Sequence, residues 1–401
     1  MRRQMWVALG LTVALAIVTA GPAAARVASQ GKNEGKVSIL AWPGYAEDGS
    51  TDKAYDWVAP FEEETGCKAS VKTFSTSDEA FQLFATGQYD VVSASGDSAL
   101  RSIVNGDTAP IDLARVTNYA DLAEFMKDQA WNSYKGKTYG VPHGWGANLL
   151  MWNEDVVKPT PTSWSAVFDK DSPYSGKITA PDNPIYIADA ALYLSKTQPD
   201  LGITNPYALD KKQFKAAVAL LKQQKANIGE YWDSALKEQD AFTKGSSVVG
   251  ATWEYQANQV RADDAAPPIE TAIPAEGATA WSDNWFVHRD AKHPNCAYEW
   301  INWITSPEVQ SQESEYYGEA PANLQACTLT ADGGTQLGVP IEAGADPATS
   351  NCAIYHAEDP AFYNQLSYWV TPTTKCLDGR TGIKCVAYKD WLKAWDEIKA
   401  S

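Results

Sequence analysis

The pattern that most constrains the fold is an alternation of short apolar runs with amphipathic helical segments near the start of the chain. Apolar runs at Val37–Trp42, Ala69–Phe74 and Tyr89–Ser95 have the length of buried strands. The segments between them, Thr51–Gly66 and Ser77–Gly87 (with Ser77 as its cap), carry apolar residues at helical spacing. This order predicts the start of a doubly wound parallel sheet.

The loops after the first and third strands are expected to emerge at the same edge of that sheet, where open α/β sheets bind their ligands. Topology therefore places Trp42, Tyr45, Ser95 and Asp97 at the rim of a site. Asp97 has a second interpretation as the N-cap of a helix through Leu100–Val104. The sequence favours the cap, and Asp97 stays a candidate ligand residue because of its position.

A chain of 401 residues exceeds the size at which single cores stop growing, about 250–300 residues, so two lobes are expected. Residues 164–267 carry a second α/β pattern, with helices predicted at Ile187–Lys196 and Asp210–Gln224 and a buried strand at Val248–Thr252. The apolar, glycine-containing stretch Tyr139–Asn153 fits a strand that passes between the lobes.

The first 25 residues are typical of a secretory signal peptide. Arg2-Arg3 precede an apolar run that ends near Ala20, and small residues follow. The first cysteine is Cys67, so no cysteine lies where a lipid anchor would be attached. We expect a soluble protein in the periplasm or the extracellular space. Its 31 basic and 50 acidic side chains without Arg2 and Arg3 argue against nucleic acid as a partner and favour cationic ligands.

Six cysteines in an exported chain indicate three disulfides, with fifteen possible connectivities. Cys376 and Cys385 bracket a short hydrophilic loop and should form a local bridge. Cys327 and Cys352 flank a stretch rich in Gly, Ala and Pro and form the second predicted pair. That leaves Cys67 with Cys296. No Cys-x-x-Cys occurs and the histidines show no ligand spacing, so neither a metal nor another cofactor is expected.

Two tryptophans stand beside carboxylates, in Trp281-Ser282-Asp283 and Trp253-Glu254, and Trp42 ends the first strand. An aromatic face attracts an organic ammonium by about 0.5–1 kcal/mol when exposed and ~2 kcal/mol when desolvated. A neighbouring carboxylate adds a charge-assisted hydrogen bond and the countercharge. Residues of these types in this arrangement predict a site for a small organic cation.

Two alternatives remain open. Aromatic faces also stack on sugar rings, so the chain could bind a neutral solute such as an oligosaccharide. A secreted glycoside hydrolase with two catalytic carboxylates is the enzyme alternative. No nucleophile elbow, Walker loop or dinucleotide-binding glycine motif occurs. The strand and helix count before residue 253 also falls short of a βα barrel.

Taken in order, a series of short segments resembles the extracellular solute-binding proteins of ABC importers, of the type that includes the bacterial spermidine/putrescine-binding proteins. The segments that carry the resemblance are Ile39–Tyr45, Phe61–Gly66, Gly87–Val92, Val141–Gly146, Thr162–Trp164, Val249–Trp253, Pro274–Gly277, Trp281–Asp283 and Tyr317–Asn323.

The resemblance implies a two-lobed periplasmic-binding-protein fold that closes on its ligand like a clamshell, with a mainly parallel, helix-flanked sheet in each lobe. It assigns residues 36–140 and 281–325 to lobe 1 and residues 141–280 to lobe 2. Residues 326–401 would form a C-terminal segment that packs on lobe 2. Cys67 and Cys296 then belong to one lobe, which supports their pairing.

The same resemblance implies ligand contacts, and two departures qualify them. Trp42, Trp253, Trp281 and Asp283 match positions that enclose and neutralise a polyamine, and Glu319 matches an aromatic contact. Gly44 stands where the family carries an acid. A carboxylate pair of the second lobe falls on Asn183 and Tyr186, both uncharged. A buried amine without a countercharge is costly, so a cation smaller than spermidine fits better.

We therefore predict a monomeric binding protein, with no chemistry of its own, that delivers a small cationic nitrogen compound to an ABC importer permease. Putrescine, spermidine and other amines are the candidate ligands. The candidate ligand residues are Trp42, Tyr45, Asp97, Asn183, Tyr186, Trp253, Glu254, Trp281, Asp283 and Glu319.

Overall fold

The computed structural model describes residues 33–332, 334–336, 339–341 and 351–401. The predicted signal peptide and most of the stretch rich in Gly, Ala and Pro between Cys327 and Cys352 lie outside the described residues. None of the helices within the described part has the length and apolarity needed to cross a membrane.

The strands form two larger mixed sheets and two small hairpins. Their bounds are β1 Lys36–Ala41, β2 Lys68–Thr73, β3 Val91–Ser95, β4 Ser133–Tyr134, β5 Lys137–Thr138, β6 Gly140–Ala147, β7 Leu149–Asn153, β8 Ile178–Pro181, β9 Ile228–Trp232, β10 Val249–Thr252, β11 Ile269–Ala272, β12 Ala278–Val287, β13 Ala320–Pro321, β14 Gly334–Gln336, β15 Val339–Ile341 and β16 Leu366–Tyr368.

Helices cover the sheets, and most are amphipathic segments whose apolar side chains face a sheet. Their bounds are α1 Val58–Thr65, α2 Ser77–Phe84, α3 Gly96–Asn105, α4 Ser165–Phe168, α5 Ile187–Thr197, α6 Lys211–Gln224, α7 Ala235–Thr243, α8 Glu254–Ala262, α9 Pro294–Ile304, α10 Pro307–Glu313, α11 Gln325–Asp332, α12 Asn351–Ile354, α13 Pro360–Tyr363 and α14 Tyr388–Lys399.

The first lobe is built on a seven-stranded sheet of order β13-β6-β12-β3-β1-β2, in which β16 also pairs with β12. β1 is parallel to β2 and β3, as the alternation of strands and helices predicts. β12 runs antiparallel to β3 and β6. The carboxyl ends of β1 and β3 therefore open at one edge, beside the middle of β12.

The second lobe is built on a five-stranded sheet of order β11-β7-β10-β8-β9. β8 is parallel to β9 and β10, whereas β7 is antiparallel to β10 and β11. Two α/β lobes are thus confirmed. Each sheet contains the predicted parallel strands. Each also contains antiparallel strands, which are formed by the segments that lead from one lobe to the other.

The lobe boundaries differ from the prediction. β6 pairs with β12 and β13, so the chain leaves the first lobe near Asn148 and not at residue 141. It returns with β12 at Ala278. The C-terminal segment is divided between the lobes, because β16 joins the first sheet and α14 packs on α6 of the second lobe.

The first predicted helix is also shorter than expected, because α1 starts at Val58 and not at Thr51. Pro60 explains the difference, since proline has no N–H to donate and is tolerated only in the first turn of a helix. Thr76, one residue before the predicted cap, caps α2 by accepting a hydrogen bond from the Glu79 N–H.

All six cysteines are paired as predicted. The S–S distances are 2.05 Å for Cys67–Cys296, 2.09 Å for Cys327–Cys352 and 2.02 Å for Cys376–Cys385. The first bridge ties the β2 side of the first sheet to α9. The third closes a loop that leads into α14.

Candidate functional site

A cleft of about 240 Å³ lies between the lobes, at the edge where β1 and β3 end. Residues from both lobes and from the C-terminal segment line it. They are Trp42, Ser75, Thr76, Ser77, Asp78, Ser95, Asp97, Asn148, Pro181, Asp182, Asn183, Pro184, Trp232, Asp233, Trp253, Trp281, Asp283, Tyr317, Trp369 and Tyr388.

Trp281 and Asp283 come from the middle of β12 and are alternate residues of one strand, so they point to the same face. Trp281 pairs with Gly146 of β6, and a Cβ on Gly146 would lie 2.5 Å from the Trp281 ring. Only glycine leaves room for the indole there. The register of β6 shifts at Asp283, where His143 is the extra residue of a β-bulge, a device that re-aims side chains next to functional sites.

Asp283 is 2% exposed, and both of its carboxylate oxygens accept hydrogen bonds. Ser95, its partner across the β3–β12 pair, donates to Oδ1, and the Tyr45 hydroxyl lies 2.8 Å from Oδ2. Burial raises the pKa of Asp283 to about 6, although these two hydrogen bonds act in the opposite direction. Asp283 is therefore an ionisable anion at the cleft, held by neutral donors.

Tyr45 does not line the cleft and instead lies behind Asp283, where its hydroxyl contacts two carboxyl groups. It is 2.8 Å from Asp283 Oδ2 and 2.7 Å from Glu319 Oε2. A tyrosine hydroxyl has one proton to donate, so one of the two carboxyl groups must carry the proton of the second hydrogen bond. Burial raises the pKa of Glu319 well above its ordinary value, which assigns that proton to Glu319 and leaves the charge on Asp283.

Glu319 belongs to a buried cluster with His143 and Glu313. His143 Nε2 lies 2.6 Å from Glu313 Oε1, and Gln310 Nε2 lies 3.1 Å from the other ring nitrogen. Gln310 accepts a hydrogen bond from the Asn323 N–H, which fixes its amide so that its NH₂ group faces the imidazole.

His143, Glu313 and Glu319 are a group of described residues whose ligand atoms are close enough to hold a metal, within 4.8 Å of one another. Burial lowers the pKa of His143 and raises the pKa of Glu313 well above its ordinary value. The cluster is therefore held mainly by neutral hydrogen bonds and supports Asp283 from behind.

The second lobe supplies aromatic faces. Trp253 packs edge-on against Trp281 at 6.0 Å between ring centroids and against Trp232 at 5.1 Å. Asn148, at the crossing between the lobes, accepts a hydrogen bond of 2.8 Å from the Trp253 indole N–H and so fixes the ring. Trp42 lies in the opposite wall, 4.4 Å from Phe74. These rings form a cage suited to an organic cation.

Asp97 lines the cleft and is not the helix cap that the sequence favours. α3 begins one residue earlier, at Gly96, so Asp97 lies in the first turn and Ser95 takes the cap position. The Ser77 hydroxyl donates to Asp97 Oδ1 at 2.9 Å, and Asn183 faces Asp97 from the second lobe. Burial raises the pKa of Asp97 to about 6, which makes it a second ionisable group at the cleft.

Two other candidates, Glu254 and Tyr186, do not line the cleft. Glu254 is the first residue of α8 and accepts a hydrogen bond of 2.5 Å from Arg261 and one of 3.0 Å from Thr271. Tyr186 ends a 3₁₀ turn that begins at Pro184. This turn directs the Tyr186 ring into the core of the second lobe, where Gln224 donates to its hydroxyl at 3.0 Å.

The remaining candidate, Asn183, does line the cleft, and its Oδ1 caps the same turn through the Ile185 N–H. Gly44, which the resemblance marks as a missing acid, has φ +96°, and a Cβ there would lie 2.6 Å from the Tyr317 ring. Tyr317 therefore fills the space that a side chain at position 44 would need.

Several cleft residues are absent from the sequence-based candidates. They include Asn148 between β6 and β7, Trp232 at the end of β9, Trp369 just after β16 and Tyr317 in a π-helical turn, at positions that the strand and helix pattern of the sequence does not mark as part of a site. Of these four residues, only Tyr317 is marked by the sequence, since it opens the Tyr317–Asn323 segment that carries the resemblance. The Ser75–Asp78 stretch could have been found because it follows β2, which is parallel to β1 and ends at the same edge.

Comparison with protein families relates the chain to known proteins. The family described as bacterial extracellular solute-binding protein matches residues 56–333. The spermidine/putrescine-binding periplasmic protein of Escherichia coli is 27% identical over 297 residues, which cover 71% of this chain and 81% of that protein. The putrescine/cadaverine-binding protein of Pseudomonas aeruginosa is 26% identical over 316 residues, covering 75% and 82%.

A solved structure shows the same fold. The spermidine/putrescine ABC transporter substrate-binding protein of Streptococcus pneumoniae superposes with a TM-score of 0.66 at 19% identity, covering 91% of this chain and 99% of that protein. The two-lobed architecture of this chain is therefore that of periplasmic binding proteins.

Proposed function

The chain belongs to the bacterial extracellular solute-binding proteins, and on that premise we propose that it captures a small organic amine and delivers it to an ABC importer. Members of this family bind and hand over solutes and do not catalyse reactions, so the glycoside hydrolase alternative is set aside. The relatives compared above are named for spermidine, putrescine and cadaverine, which are all amines.

The observation that carries the proposal is a buried carboxylate facing an aromatic cage. Asp283 is 2% exposed, its hydrogen-bond donors are the neutral Ser95 and Tyr45, and Trp281 and Trp253 stand beside it. A buried charge without an opposite charge is costly. An ammonium group seated on the indole faces would supply that charge and gain both a charge-assisted hydrogen bond and a cation–π contact.

One observation favours a second candidate, a neutral solute such as an oligosaccharide. The indole N–H groups of Trp42, Trp281 and Trp369, all in the cleft lining, have no hydrogen-bond partner among the described residues. Such donors suit the hydroxyl oxygens of a sugar, and the rings suit its faces. The uncompensated carboxylate at the centre of the cleft favours the amine.

The partners follow from the proposed role. A family member of this kind works outside the cytoplasmic membrane with a membrane permease, so we place the protein in the periplasm or the extracellular space. We propose that it works as a monomer, since one chain supplies every residue of the cleft described above.

A thermal-shift screen tests the proposal with putrescine, cadaverine, 1,4-butanediol and maltotriose. A ligand present at 100 times its Kd stabilises the folded state by about 2.7 kcal/mol, which such a screen detects. We expect the two amines to raise the melting temperature, and their uncharged analogue 1,4-butanediol to leave it unchanged. Stabilisation by maltotriose alone would favour the neutral-solute candidate instead.

A further inference from the structure

The charged groups of the cleft are all acidic. Among its described lining residues there is no lysine, arginine or histidine. The acids that line it are Asp78, Asp97, Asp182, Asp233 and Asp283.

Three of these acids have cationic partners outside the cleft. Asp78 pairs with Arg101 at 2.6 Å, and Asp182 pairs with Lys399 at 2.8 Å. Asp233 has a side chain that is 67% exposed and lies 4.0 Å from Lys237. Their charges are therefore met by the protein or by water.

Asp97 and Asp283 remain without an ion-pair partner of their own. Asp97 is 0% exposed, and its Oδ2 atom has no hydrogen-bond partner among the described residues. The Arg101 charge, one helical turn on, and the neutral Ser77 and Asn183 side chains lower the pKa of Asp97 and so partly offset its burial, but no ion pair with Asp97 forms among the described residues. The Arg101 guanidinium is held by Asp78 and by the rings of Phe81 and Tyr388, at 4.5 Å and 4.3 Å. A buried carboxylate oxygen without a donor is costly, and a ligand N–H would remove that cost.

The two carboxylates share one wall of the cleft. Asp283 pairs across the sheet with Ser95, and Asp97 follows Ser95 by two residues. Asp97 lies in the first turn of α3, directly after β3, so both carboxylates line the same cleft of about 240 Å³ and can bind the two ends of one short ligand. The opposite wall offers the neutral Asn183, the already paired Asp182 and the exposed Asp233, so a third cationic group would find no buried anion without a partner there.

We propose that Asp97 is a second ligand carboxylate and that the ligand class is the short diamines, with one ammonium at Asp283 and the other at Asp97. This assignment rests on the proposed function and adds to it. A monoamine would leave Asp97 without a partner. The third ammonium group of a triamine would meet no further buried carboxylate that lacks a cation.

Isothermal titration of the protein with butylamine, putrescine and spermidine tests the assignment. We expect putrescine to bind at least about tenfold more tightly than butylamine, the effect of ~1.4 kcal/mol. Spermidine should bind within about threefold of putrescine, a difference below ~0.7 kcal/mol. Spermidine binding far more tightly than putrescine, or butylamine binding as tightly, would overturn the diamine assignment without any variant.

Variants then separate the two carboxylates. Asp97→Asn should remove the advantage of putrescine over butylamine and leave butylamine affinity within about threefold of wild type, whereas Asp283→Asn should weaken both amines. Asp240→Asn, the same change at an exposed acid of the second lobe that pairs with Lys244 and does not line the cleft, should leave the ratio of the two affinities unaltered. An unchanged ratio in Asp97→Asn refutes the role of Asp97. Unchanged amine affinity in Asp283→Asn, or no amine binding to wild type, contradicts the proposed function itself.

Discussion

The two walls of the cleft treat negative charge differently. In the first lobe, Asp283 and Asp97 are buried and receive only neutral hydrogen-bond donors. In the second lobe, Asp182 is held by Lys399 and by the Trp395 indole, and Glu254 is held by Arg261 outside the cleft. The first lobe thus keeps two buried acids without an ion pair, whereas the acids that the second lobe brings to the cleft are paired or exposed.

The number of acids near a cleft therefore does not measure its affinity for cations. An acid that the protein has already paired gains little from a ligand. An acid buried among neutral donors gains both a countercharge and a hydrogen bond.

The largest expected effect on affinity comes from replacing one acid on each wall by asparagine. Asp283→Asn should weaken binding of putrescine by about 100-fold or more, because breaking a buried charge pair costs about 2–5 kcal/mol. Asp182→Asn should change the affinity by less than about threefold, since its salt bridge is with Lys399 and is partly exposed. Isothermal titration measures both affinities. Equal losses of affinity in the two variants would show that the two walls do not differ in this way.

The next largest effect concerns the aromatic face beside Asp283. Trp281→Ala should weaken putrescine binding by roughly 30-fold, since a desolvated cation–π contact contributes ~2 kcal/mol. The matched change Trp300→Ala removes a buried tryptophan of the first lobe that does not line the cleft. It should lower the melting temperature without a specific loss of affinity in the folded fraction. Retained affinity in Trp281→Ala would mean that this indole serves packing alone.

The affinity for an amine should also depend on pH, because the two buried acids of the first lobe titrate. Burial raises the pKa of both Asp283 and Asp97 to about 6, so each is ionised at neutral pH and protonated below pH 6. Affinity for an amine should be flat above about pH 7 and should fall by up to about tenfold per pH unit per carboxylate below 6. The sequence alone suggests the ordinary carboxylate range near pH 4, and the structure moves this window upward. A fall that begins only near pH 4 would show that the two acids are solvated.

The stability of the ligand-free protein should change in the opposite sense. Because the folded-state pKa values lie above the ordinary value of 3.8, the folded state binds more protons than the unfolded state between pH 4 and 6. These two groups therefore add stability as the pH falls through 6 and withdraw it as the pH rises. Denaturant titrations of Asp283→Asn at pH 5 and pH 7 should show a smaller pH dependence than wild type.

The smallest expected effect concerns the buried cluster behind Asp283. Because Glu319 carries the proton, Glu319→Gln replaces one neutral side chain with another of similar shape and should keep the affinity for putrescine within about threefold of wild type. Glu319→Ala removes the partner of Tyr45 and should weaken binding more. A large loss in Glu319→Gln, equal to that in Asp283→Asn, would instead show that Glu319 contributes a negative charge to the ligand.

Much of the fold and part of the site could be predicted because they depend on local patterns. The strand and helix periodicity near the N-terminus gave β1, β2 and β3, and topology then brought Trp42 and Asp97 to one edge. Trp281 and Asp283 could be predicted as ligand residues because an aromatic residue and an acid stand two positions apart in the sequence. All three cysteine pairs followed from spacing and elimination.

The rest depended on contacts between distant parts of the chain. Asp182 is neutralised by Lys399, more than 200 residues away, and no local pattern signals that pair. The extra residue at His143 that shifts the register beside Asp283 exists only in the paired strands. Glu254 is a partial exception, because Arg261 lies two helical turns further along the same face of α8.

A crystal structure of the protein with putrescine bound would show directly whether Asp283 and Asp97 hold the two ammonium groups. We expect one ammonium nitrogen about 2.7–2.9 Å from the Asp283 carboxylate, the distance of a charge-assisted hydrogen bond. The second nitrogen should lie at Asp97, with the carbon chain against Trp281 and Trp253. A ligand whose nitrogens instead contact Asp182 or Asp233, with Asp283 bound only by Ser95 and Tyr45, would contradict this assignment.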